Sequence, residues 1–367
     1  MYTIIADENI PLVQDAFGIF GKVNTVNGRN LSSADLTGVT TLLVRSVTKI
    51  NASLLANSSV SFVGTATIGF DHVDLNYLKE NNIGFANAPG SNATAAAEYV
   101  ISALLVIAER QNFCLRDKTV GIIGCGNVGS RVLKKLQALE IQCLVHDPLL
   151  ENTDYVDLDK VLTADIVTLH VPLKKGGDYP TYHLVNSEFL SKLKNNAILI
   201  NTSRGVVIDE SALSLTLLAR PNLTVVLDVW KNEPNINKLL LQQVALATPH
   251  IAGYSLDGKI RGTEMLYTKI CEHFQQEPSW HPQLPPPPVN RLSFSNTIDD
   301  DVAVHIAVMS SYDIRRDSTA LSQANANFDK LRKNYPLRRE FSQLTIQIPA
   351  ERSILAKRLQ GLGFNLE

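Results

Sequence analysis

Three polar residues in the second half of the chain are of the types that hydride transfer requires: Arg204, Glu233 and His250. A guanidinium can hold a carboxylate with two parallel hydrogen bonds and polarise an adjacent carbonyl. An imidazole near neutrality can take the proton of an alcohol as hydride leaves the same carbon. A carboxylate on the other ring nitrogen fixes the tautomer and stabilises the imidazolium. As a set they suit oxidation of a hydroxy acid, although each alone is more often a surface ion pair or a structural histidine.

A glycine turn upstream could bind the hydride acceptor. Gly124, Gly126 and Gly129 fit G-x-G-x-x-G after the apolar segment 119–124, and a helical pattern follows them. The first glycine permits the tight turn, the second admits a diphosphate, and the third lets the helix pack closely on the strand. The diphosphate would rest on the N–H groups at the helix N-terminus. The pattern predicts a dinucleotide site, with an ordinary tight turn as the alternative.

An aspartate decides between the two nicotinamide dinucleotides. Asp147 stands 18 residues after Gly129, at the end of a second apolar segment, 141–146. At this spacing a carboxylate reaches the ribose diol of NAD. It would repel the 2′-phosphate of NADP, and residues 148–150 include no arginine to bind one. We therefore predict NAD as the cofactor.

The elements that must position these residues follow an α/β pattern. Helical patterns alternate with short apolar segments at 3–6, 41–44, 61–64, 83–86, 166–170, 198–201 and 225–228. Such alternation is typical of parallel sheets with helices on both faces. We predict two doubly wound α/β domains of the Rossmann or flavodoxin-like kind, in which ligands bind beyond the carboxyl ends of the strands.

Two of these strand ends carry further polar residues. Arg45 and Ser46 follow the segment 41–44, and Thr67 lies just beyond the segment 61–64. Hydroxyl groups at this edge of a sheet suit a carboxylate or a phosphate, whereas helix capping by Ser46 or Thr67 is the alternative.

Composition excludes several classes of function. The chain has 367 residues, with 45% hydrophobic and 19% charged residues, which predicts a globular protein of two or three domains. Its net charge of −2 gives no general attraction for nucleic acid or an anionic membrane. The longest apolar stretch, 99–108, is far shorter than the roughly 20 residues of a membrane span. Without a basic leader or metal-ligand spacing of its four cysteines, we expect a cytoplasmic protein with reduced thiols and no metal.

Four consecutive prolines, 285–288, predict a domain boundary because they favour a stiff extended segment. Beyond them, three aspartates at 299–301 can start a helix, and alternating apolar residues at 344–348 predict a strand. We predict a substrate-binding lid, an NAD-binding domain and a small C-terminal α/β domain. Their bounds are 1–92 with 257–284, 93–256, and 289–367. We expect the lid to close over the substrate, since hydride transfer needs short distances and excluded water.

The segments around the three polar residues resemble the signatures of the D-2-hydroxyacid dehydrogenases. They read Asn-Thr-Ser-Arg-Gly at 201–205, Asp-Val-Trp-Lys-Asn-Glu-Pro at 228–234 and Thr-Pro-His-Ile-Ala-Gly at 248–253, and the resemblance covers roughly residues 1–280. It implies that Arg204 binds the substrate carboxylate, that Glu233 supports the histidine and that His250 is the acid/base.

Further segments resemble one branch of that family, which adds a C-terminal dimerisation domain. They are 43–48, 64–67 with 71–74, 253–255 and the module after the prolines. This resemblance implies a homodimer that oxidises 4-phospho-D-erythronate at C2 with NAD, yielding 2-oxo-3-hydroxy-4-phosphobutanoate on the route to pyridoxal phosphate. It also implies substrate contacts by Ser46, Thr67 and Tyr254. Together with the glycine turn, the predicted cofactor contacts are Gly124, Gly126, Asn127, Val128, Gly129, Asp147, Val171, Ser203, Asp228 and Gly253.

The 4-phosphate of the implied substrate needs a cation to bind it. Arg45 is well placed for the phosphate. The arginines of the C-terminal module could reach the cleft of a partner subunit, unless they are solvated or interface arginines; they are Arg315, Arg316, Arg338 and Arg339.

The first rival function is that of another D-2-hydroxyacid dehydrogenase, acting on 3-phosphoglycerate or glycerate, which the C-terminal module argues against. The other is a non-catalytic NADH-sensing binding protein, for which the long disordered interaction tail is lacking.

Overall fold

The computed structural model describes residues 2–323 and 326–367. Met1, Ala324 and Asn325, which belong to the predicted first and third domains, lie outside the described residues. The strands are β1 Tyr2–Asp7, β2 Gly21–Val26, β3 Thr41–Val44, β4 Phe62–Thr65, β5 Gly84–Ala86, β6 Thr119–Ile123, β7 Gln142–His146, β8 Ile166–Leu169, β9 Ile198–Asn201, β10 Thr224–Leu227, β11 Leu246–Ala247, β12 Arg291–Ser293, β13 Thr345–Gln347 and β14 Asn365–Leu366.

The α-helices alternate with these strands. They are α1 Val13–Phe17, α2 Ala52–Leu55, α3 Leu75–Glu80, α4 Ala93–Gln111, α5 Asn127–Ala138, α6 Leu158–Val161, α7 Ser187–Lys192, α8 Glu210–Ala219, α9 Lys238–Gln243, α10 Leu256–His273, α11 Asp300–Ser311, α12 Ile314–Ser322, α13 Phe328–Lys333 and α14 Ser353–Leu362. Short 3₁₀ helices lie at Ser33–Leu36, Leu115–Asp117, Gly205–Val207 and Phe341–Gln343.

Many of these helices begin at a side chain that accepts a hydrogen bond from the first turn, where free N–H groups need an acceptor. The N-cap residues of this kind are Asn51, Asp74, Asn186, Asp209, Asn237, Ser255, Asp299, Asp313 and Asn327. Helix α5 differs: its N-cap is Gly126, and within the described part of the chain no side chain caps it.

Backbone packing divides the chain into two compact units, Met1–Asn92 with Ser255–Pro285 and Ala93–Tyr254 with Pro286–Glu367. The first unit contains a parallel sheet in the order β2-β1-β3-β4-β5. Strands β3 and β4 are buried throughout, as a sheet covered on both faces requires. Helix α10 packs Leu266 and Ile270 into the core of this unit.

The second unit contains a parallel sheet in the order β11-β10-β9-β8-β6-β7. Consecutive strands proceed to opposite sides of β6, since β7 lies on one side and β8 on the other. A ligand crevice is expected at this switch point, beyond the carboxyl ends of the strands. The long helix α4 is buried along most of its length against this fold.

The segment after the prolines packs on α4 and α5. It forms the parallel sheet β12-β13-β14, and its apolar residues join the same hydrophobic core as α4. The rings of Phe341 and Phe364 stack with centroids 4.7 Å apart. A Cβ on Gly361 would lie 2.2 Å from Cβ of Ala138, so α14 approaches α5 as closely as a glycine permits.

The predicted fold class is confirmed, since parallel α/β sheets form both units and a small parallel sheet ends the chain. The predicted strands agree with the observed ones to within one residue at each end. Strand β2 was missed because Lys22, Asn24 and Thr25 interrupt its apolar run at the edge of the sheet. The division into three domains stays a prediction.

No helix among the described residues is both long and apolar enough to cross a membrane. The described residues include no cluster of His, Cys, Asp and Glu that could hold a metal ion. The cysteines are unpaired; Cys125 and Cys271 are buried, whereas Cys114 is exposed.

Buried charges join the C-terminal segment to α4 and α5. Glu98 is 1% exposed; its Oε1 accepts the N–H of Phe341 at 2.9 Å and lies 3.8 Å from Nζ of Lys135. Lys135 also donates to the carbonyl oxygen of Leu362. Burial raises the pKa of Glu98 to about 7, against the attraction of Lys135 and with the repulsion of Glu340. Burial likewise lowers the pKa of Lys135.

The raised pKa of Glu98 predicts that the stability of the protein depends on pH. The pKa of Glu98 is raised from 4.5 to about 7 on folding, so the free energy of unfolding falls as the pH rises through this interval. In Glu98→Gln that fall should shrink by up to about 3 kcal/mol, since one pKa unit corresponds to about 1.4 kcal/mol. Urea unfolding at about pH 5 and about pH 8 measures the difference. The exposed Glu188 gives the control Glu188→Gln, and an unchanged pH dependence in Glu98→Gln would contradict the assignment.

Candidate active site

The turn after β6 presents open backbone. Gly124 has a φ of +86°, and a Cβ on Gly129 would lie 2.0 Å from the carbonyl oxygen of Gly124. Both positions therefore require glycine. Among the described atoms, a Cβ on Gly126 would meet nothing within 4 Å. The first N–H groups of α5, from Asn127 and Val128 onward, can thus receive an anion.

Asp147 and Val171 flank this turn. Asp147 follows β7, and its carboxylate accepts the N–H groups of Cys125 at 2.8 Å and Leu149 at 3.1 Å. Val171 follows β8, and its Cγ1 would lie 2.9 Å from a Cβ on Gly124. A carboxylate is thus fixed beside the glycine turn at the switch point of the sheet, as recognition of a ribose diol requires.

His250 and Glu233 form a hydrogen-bonded pair after β11 and β10. Nδ1 of His250 lies 2.7 Å from Oε2 of Glu233, and Oε1 of Glu233 accepts the N–H of Trp230 at 2.9 Å. Burial raises the pKa of Glu233, but His250, the Trp230 N–H and Arg332 more than offset it, so that this pKa lies below its usual value. An Nδ1–H bonded to a carboxylate leaves Nε2 as the proton acceptor of the ring. The pair can therefore act as a general base.

Asp228 holds the histidine loop, residues 248–254. It is 1% exposed, and its carboxylate accepts the Thr248 hydroxyl at 2.7 Å and the N–H groups of Ile251 at 2.7 Å and Ala252 at 3.0 Å. Its carbonyl oxygen accepts the N–H of His250 at 2.7 Å, at a residue whose φ is +57°. Burial raises the pKa of Asp228. The carboxylate thus stabilises a strained loop, and its predicted contact with the cofactor stays a prediction.

Arg204 follows β9 on a turn that Asn201 fixes. Nδ2 of Asn201 donates to the Arg204 carbonyl oxygen at 3.0 Å, and its Oδ1 accepts the N–H of Ser203 at 3.0 Å and the Ser203 hydroxyl at 2.7 Å. A Cβ on Gly205 would lie 2.0 Å from the carbonyl carbon of Trp230, so the turn packs directly on the segment after β10. The sheet therefore brings the guanidinium-bearing turn and the histidine–carboxylate pair to one edge.

A second histidine at this edge has a structural role. Nε2 of His170 lies 3.0 Å from the Thr168 hydroxyl, and its Nδ1 lies 3.3 Å from the Thr202 hydroxyl. Burial lowers the pKa of His170 to about 3. A neutral ring with both nitrogens engaged does not exchange protons near neutrality, so His250 is the better base.

The first unit carries the remaining predicted substrate contacts at the carboxyl edge of its own sheet. Arg45 and Ser46 follow β3, and Thr67 lies just beyond the neighbouring strand β4. Nη1 of Arg45 is 4.0 Å from Oδ1 of Asp7, Ser46 is exposed, and the Thr67 hydroxyl donates to the carbonyl oxygen of Gly69 at 2.8 Å. Their contact with substrate stays a prediction.

Helix capping does not explain Ser46 and Thr67. The helices that follow them, α2 and α3, are capped by Asn51 and Asp74. The alternative raised from the sequence is therefore wrong for both residues.

The C-terminal segment contacts the histidine loop. Arg338 is 2% exposed; its Nη1 donates to the carbonyl oxygen of Ala252 at 3.0 Å and its Nη2 to that of Ala95 at 2.6 Å. The guanidinium carbon lies 3.6 Å from the ring centroid of Tyr312. Arg338 therefore ties the loop to α4 from a segment that bears no catalytic motif.

Arg338→Met should destabilise the protein by about 3 kcal/mol, because two buried carbonyl groups lose a charged donor. Hydrogen exchange of the amides at 250–254 should accelerate as well, since the loop loses its anchor. Arg291→Met, at an exposed arginine of the same segment, is the matched control. Faster exchange confined to the C-terminal segment, with 250–254 unchanged, would contradict the anchoring role.

The burial of Arg338 and Arg339 excludes a surface position that the sequence had left open for them. Arg338 and Arg339 are 2% and 6% exposed, so they are not surface arginines that could reach a partner subunit. Arg315 pairs with Glu109 at 3.0 Å. Arg316 keeps 57% of its side chain exposed, and its partner in the cleft of a second subunit stays a prediction.

Arg332 was not predicted as a site residue, because it lies in α13 between Lys330 and Lys333 and so has the pattern of a solvated basic face. Its guanidinium instead lies over the ring of Tyr254, 5.5 Å from the centroid. Tyr254 also meets Tyr335 edge to face, with ring centroids 5.7 Å apart. No local motif announces these contacts, since they join residues far apart in sequence.

Comparison with known proteins places the chain among dehydrogenases. Residues 106–252 match the model of the D-isomer specific 2-hydroxyacid dehydrogenase, NAD binding domain, and residues 283–363 match a domain of unknown function, DUF3410. The chain is 45% identical to the erythronate-4-phosphate dehydrogenase of Hahella chejuensis, over 99% of each chain. It is 46% identical to that of Edwardsiella ictaluri, over 99% of this chain and 98% of the relative.

Solved structures share the fold. D-lactate dehydrogenase from Aquifex aeolicus, complexed with NAD and lactic acid, has a TM-score of 0.62 at 24% identity, covering 74% of this chain and 95% of the other. NAD⁺-bound 3-phosphoglycerate dehydrogenase from Entamoeba histolytica has a TM-score of 0.64 at 24% identity, covering 75% and 95%. About a quarter of this chain lies outside each match.

Proposed function

We propose that this chain, which belongs to the D-isomer specific 2-hydroxyacid dehydrogenase family, oxidises 4-phospho-D-erythronate at C2 with NAD. The proposal is supported by relatives named erythronate-4-phosphate dehydrogenase that match 99% of this chain. The product would be 2-oxo-3-hydroxy-4-phosphobutanoate, on the route to pyridoxal phosphate. One observation carries the proposal: the 2.7 Å pair of His250 and Glu233 stands at the same sheet edge as Arg204, beyond β9, β10 and β11.

The roles of these three side chains follow from their chemistry. Nε2 of His250 takes the proton of the C2 hydroxyl, and the carboxylate of Glu233 stabilises the imidazolium that forms. Arg204 holds the substrate carboxylate with parallel hydrogen bonds, which fixes C2 and polarises the developing carbonyl. Asp228 holds the histidine loop in the conformation that this proton transfer needs.

The residues present fit NAD. When bound, NAD supplies the acceptor of the hydride that leaves C2. The open backbone at Gly126 and the uncapped start of α5 would receive its diphosphate, and Asp147 would receive a ribose diol. A fixed carboxylate at this position disfavours the 2′-phosphate of NADP. The proposed cofactor contacts are Gly124, Gly126, Asn127, Val128, Gly129, Asp147, Val171, Ser203, Asp228 and Gly253.

Four further residues complete the proposed substrate site: Ser46, Thr67, Arg45 and Tyr254. A homodimer through the C-terminal segment and a cytoplasmic location also belong to the proposal. Val302 and Ile306, one turn apart on α11, are 49% and 38% exposed, which supports an interface on this segment.

The direct test is an assay of NAD reduction, in which absorbance at the nicotinamide band is the readout. The substrates tested in parallel are 4-phospho-D-erythronate, 3-phosphoglycerate and D-glycerate. A parallel reaction with a 2-oxo acid recycles NADH if the protein retains it. We expect turnover selective for the four-carbon phosphate. Turnover with the other acids alone would move the chain to another activity of the family, and no turnover despite bound NAD would favour an NADH sensor.

A further inference from the structure

Arg332 is a half-buried cation beside the proposed catalytic residues, and within the described part of the chain it forms no ion pair with an anionic side chain. Its guanidinium lies over two rings, 5.5 Å from the centroid of Tyr254 and 5.9 Å from that of Phe328. Its Nε–H is buried and donates to no acceptor within residues 2–323 and 326–367. Among the same residues, the Arg332 guanidinium forms no ion pair of 4.0 Å or less.

The nearby carboxylate of Glu233 is bonded to other groups. Its Oε2 is bonded to His250 and its Oε1 to the N–H of Trp230. Arg332 is nevertheless close enough to lower the pKa of Glu233, after the larger effects of burial and of His250. The guanidinium charge thus acts on the active-site carboxylate, although no ion pair of 4.0 Å or less joins the two in the described structure.

The position of the Arg332 guanidinium over two rings leaves its N–H donors for another ligand. A guanidinium over an aromatic ring interacts through its charge and face, whereas its N–H donors lie in its own plane and can bind other groups. Such a fork matches the oxygens of a phosphate, with which it forms two parallel charge-assisted hydrogen bonds. Arg332 is therefore built to receive an oxyanion beside Tyr254.

The proposed substrate has a carboxylate at one end and a phosphate at the other. In the second unit, no cation has been assigned to the phosphate. Arg204 is assigned to the carboxylate. We propose that Arg332 binds the phosphate group of the substrate and so determines selectivity for a phosphorylated hydroxy acid. This inference rests on the proposed function, and it deepens that function by naming a residue of the C-terminal segment as a specificity determinant.

The alternative is that Arg332 acts on Glu233 alone, through its charge. The two roles differ in what they do to a substrate without phosphate. A phosphate-binding residue matters for 4-phospho-D-erythronate and not for D-erythronate, whereas a residue that tunes Glu233 matters equally for both.

The test compares kcat/KM for 4-phospho-D-erythronate and D-erythronate in the full-length protein. In Arg332→Met, which keeps a long side chain over the rings, the ratio of the two values should fall about 100-fold, mostly through KM of the phosphorylated acid. Arg332→Lys should restore part of the ratio, since an ammonium binds phosphate as a point charge. Arg291→Met removes an exposed charge from the same segment and should leave the ratio unchanged. The KM for NAD should stay constant in all three variants.

Failure of the proposed function and failure of the phosphate-binding role of Arg332 give different results. If the wild-type protein does not turn over 4-phospho-D-erythronate, the proposed function fails. If the wild-type protein does so but Arg332→Met keeps the ratio, whether both values fall together or neither falls, the phosphate-binding role of Arg332 is overturned. A rise in the KM for NAD without a change in the ratio would overturn it as well.

Discussion

His250→Asn is expected to lower kcat by about 10³- to 10⁴-fold while the affinity for NAD changes by less than about twofold. The imidazole is the base that accepts the hydroxyl proton, whereas the diphosphate and ribose sites lie at the glycine turn and Asp147. Asparagine is the replacement of choice because the backbone at this position has a φ of +57°, which asparagine tolerates better than alanine. Steady-state kinetics and NADH titration measure the two quantities.

The control for this variant is His305→Asn in α11, whose ring nitrogen lies 3.9 Å from Glu109. It removes a histidine from the same unit and should keep turnover near the wild-type value. If His250→Asn lost NAD affinity as strongly as turnover, the histidine would be a part of the cofactor site or of the loop structure, and its role as base would be wrong.

Glu233→Gln should reduce kcat by about 10²- to 10³-fold and move the acidic limb of the pH profile to lower pH. An amide can still accept the Nδ1–H bond, but it does not stabilise the imidazolium with a negative charge. His250 lowers the pKa of Glu233, so the variant loses this coupling and proton transfer to the ring becomes less favourable. Profiles of kcat between about pH 5 and about pH 9 measure both effects.

Glu210→Gln is the matched control for the carboxylate. Oε1 of Glu210 accepts the N–H of Lys231 at 2.7 Å, two residues before Glu233, without bonding a histidine. This variant should keep the wild-type profile. An unmoved profile in Glu233→Gln, or an equal displacement in both variants, would count against the pairing with His250.

The sequence carried enough information for one part of the site. The glycine turn, Asp147, Arg204, Glu233 and His250 each follow a strand, and parallel strands end at one edge of a sheet. Alternation of apolar segments with helices therefore predicted both the fold and the edge at which these residues meet. Such reasoning works because the geometry is local to each strand and its following loop.

The contribution of the C-terminal segment could not be predicted in this way. Arg338 donates to the carbonyl oxygen of Ala252, 86 positions away in sequence, and Arg332 lies over the ring of Tyr254, 78 positions away. A basic residue in a short helix looks solvated until the element packed against it is known. For the same reason the 2% exposure of Arg338 contradicts the surface position that adjacent arginines suggest.

We expect hydride to leave C2 of the four-carbon phosphate for NAD, and 4-phospho-D-erythronate deuterated at C2 shows whether it does. Mass spectrometry of the reduced nicotinamide should find one deuterium per turnover, and the 2-oxo product should contain none. Deuterium retained in the product, or reduced nicotinamide without deuterium, would contradict oxidation at C2.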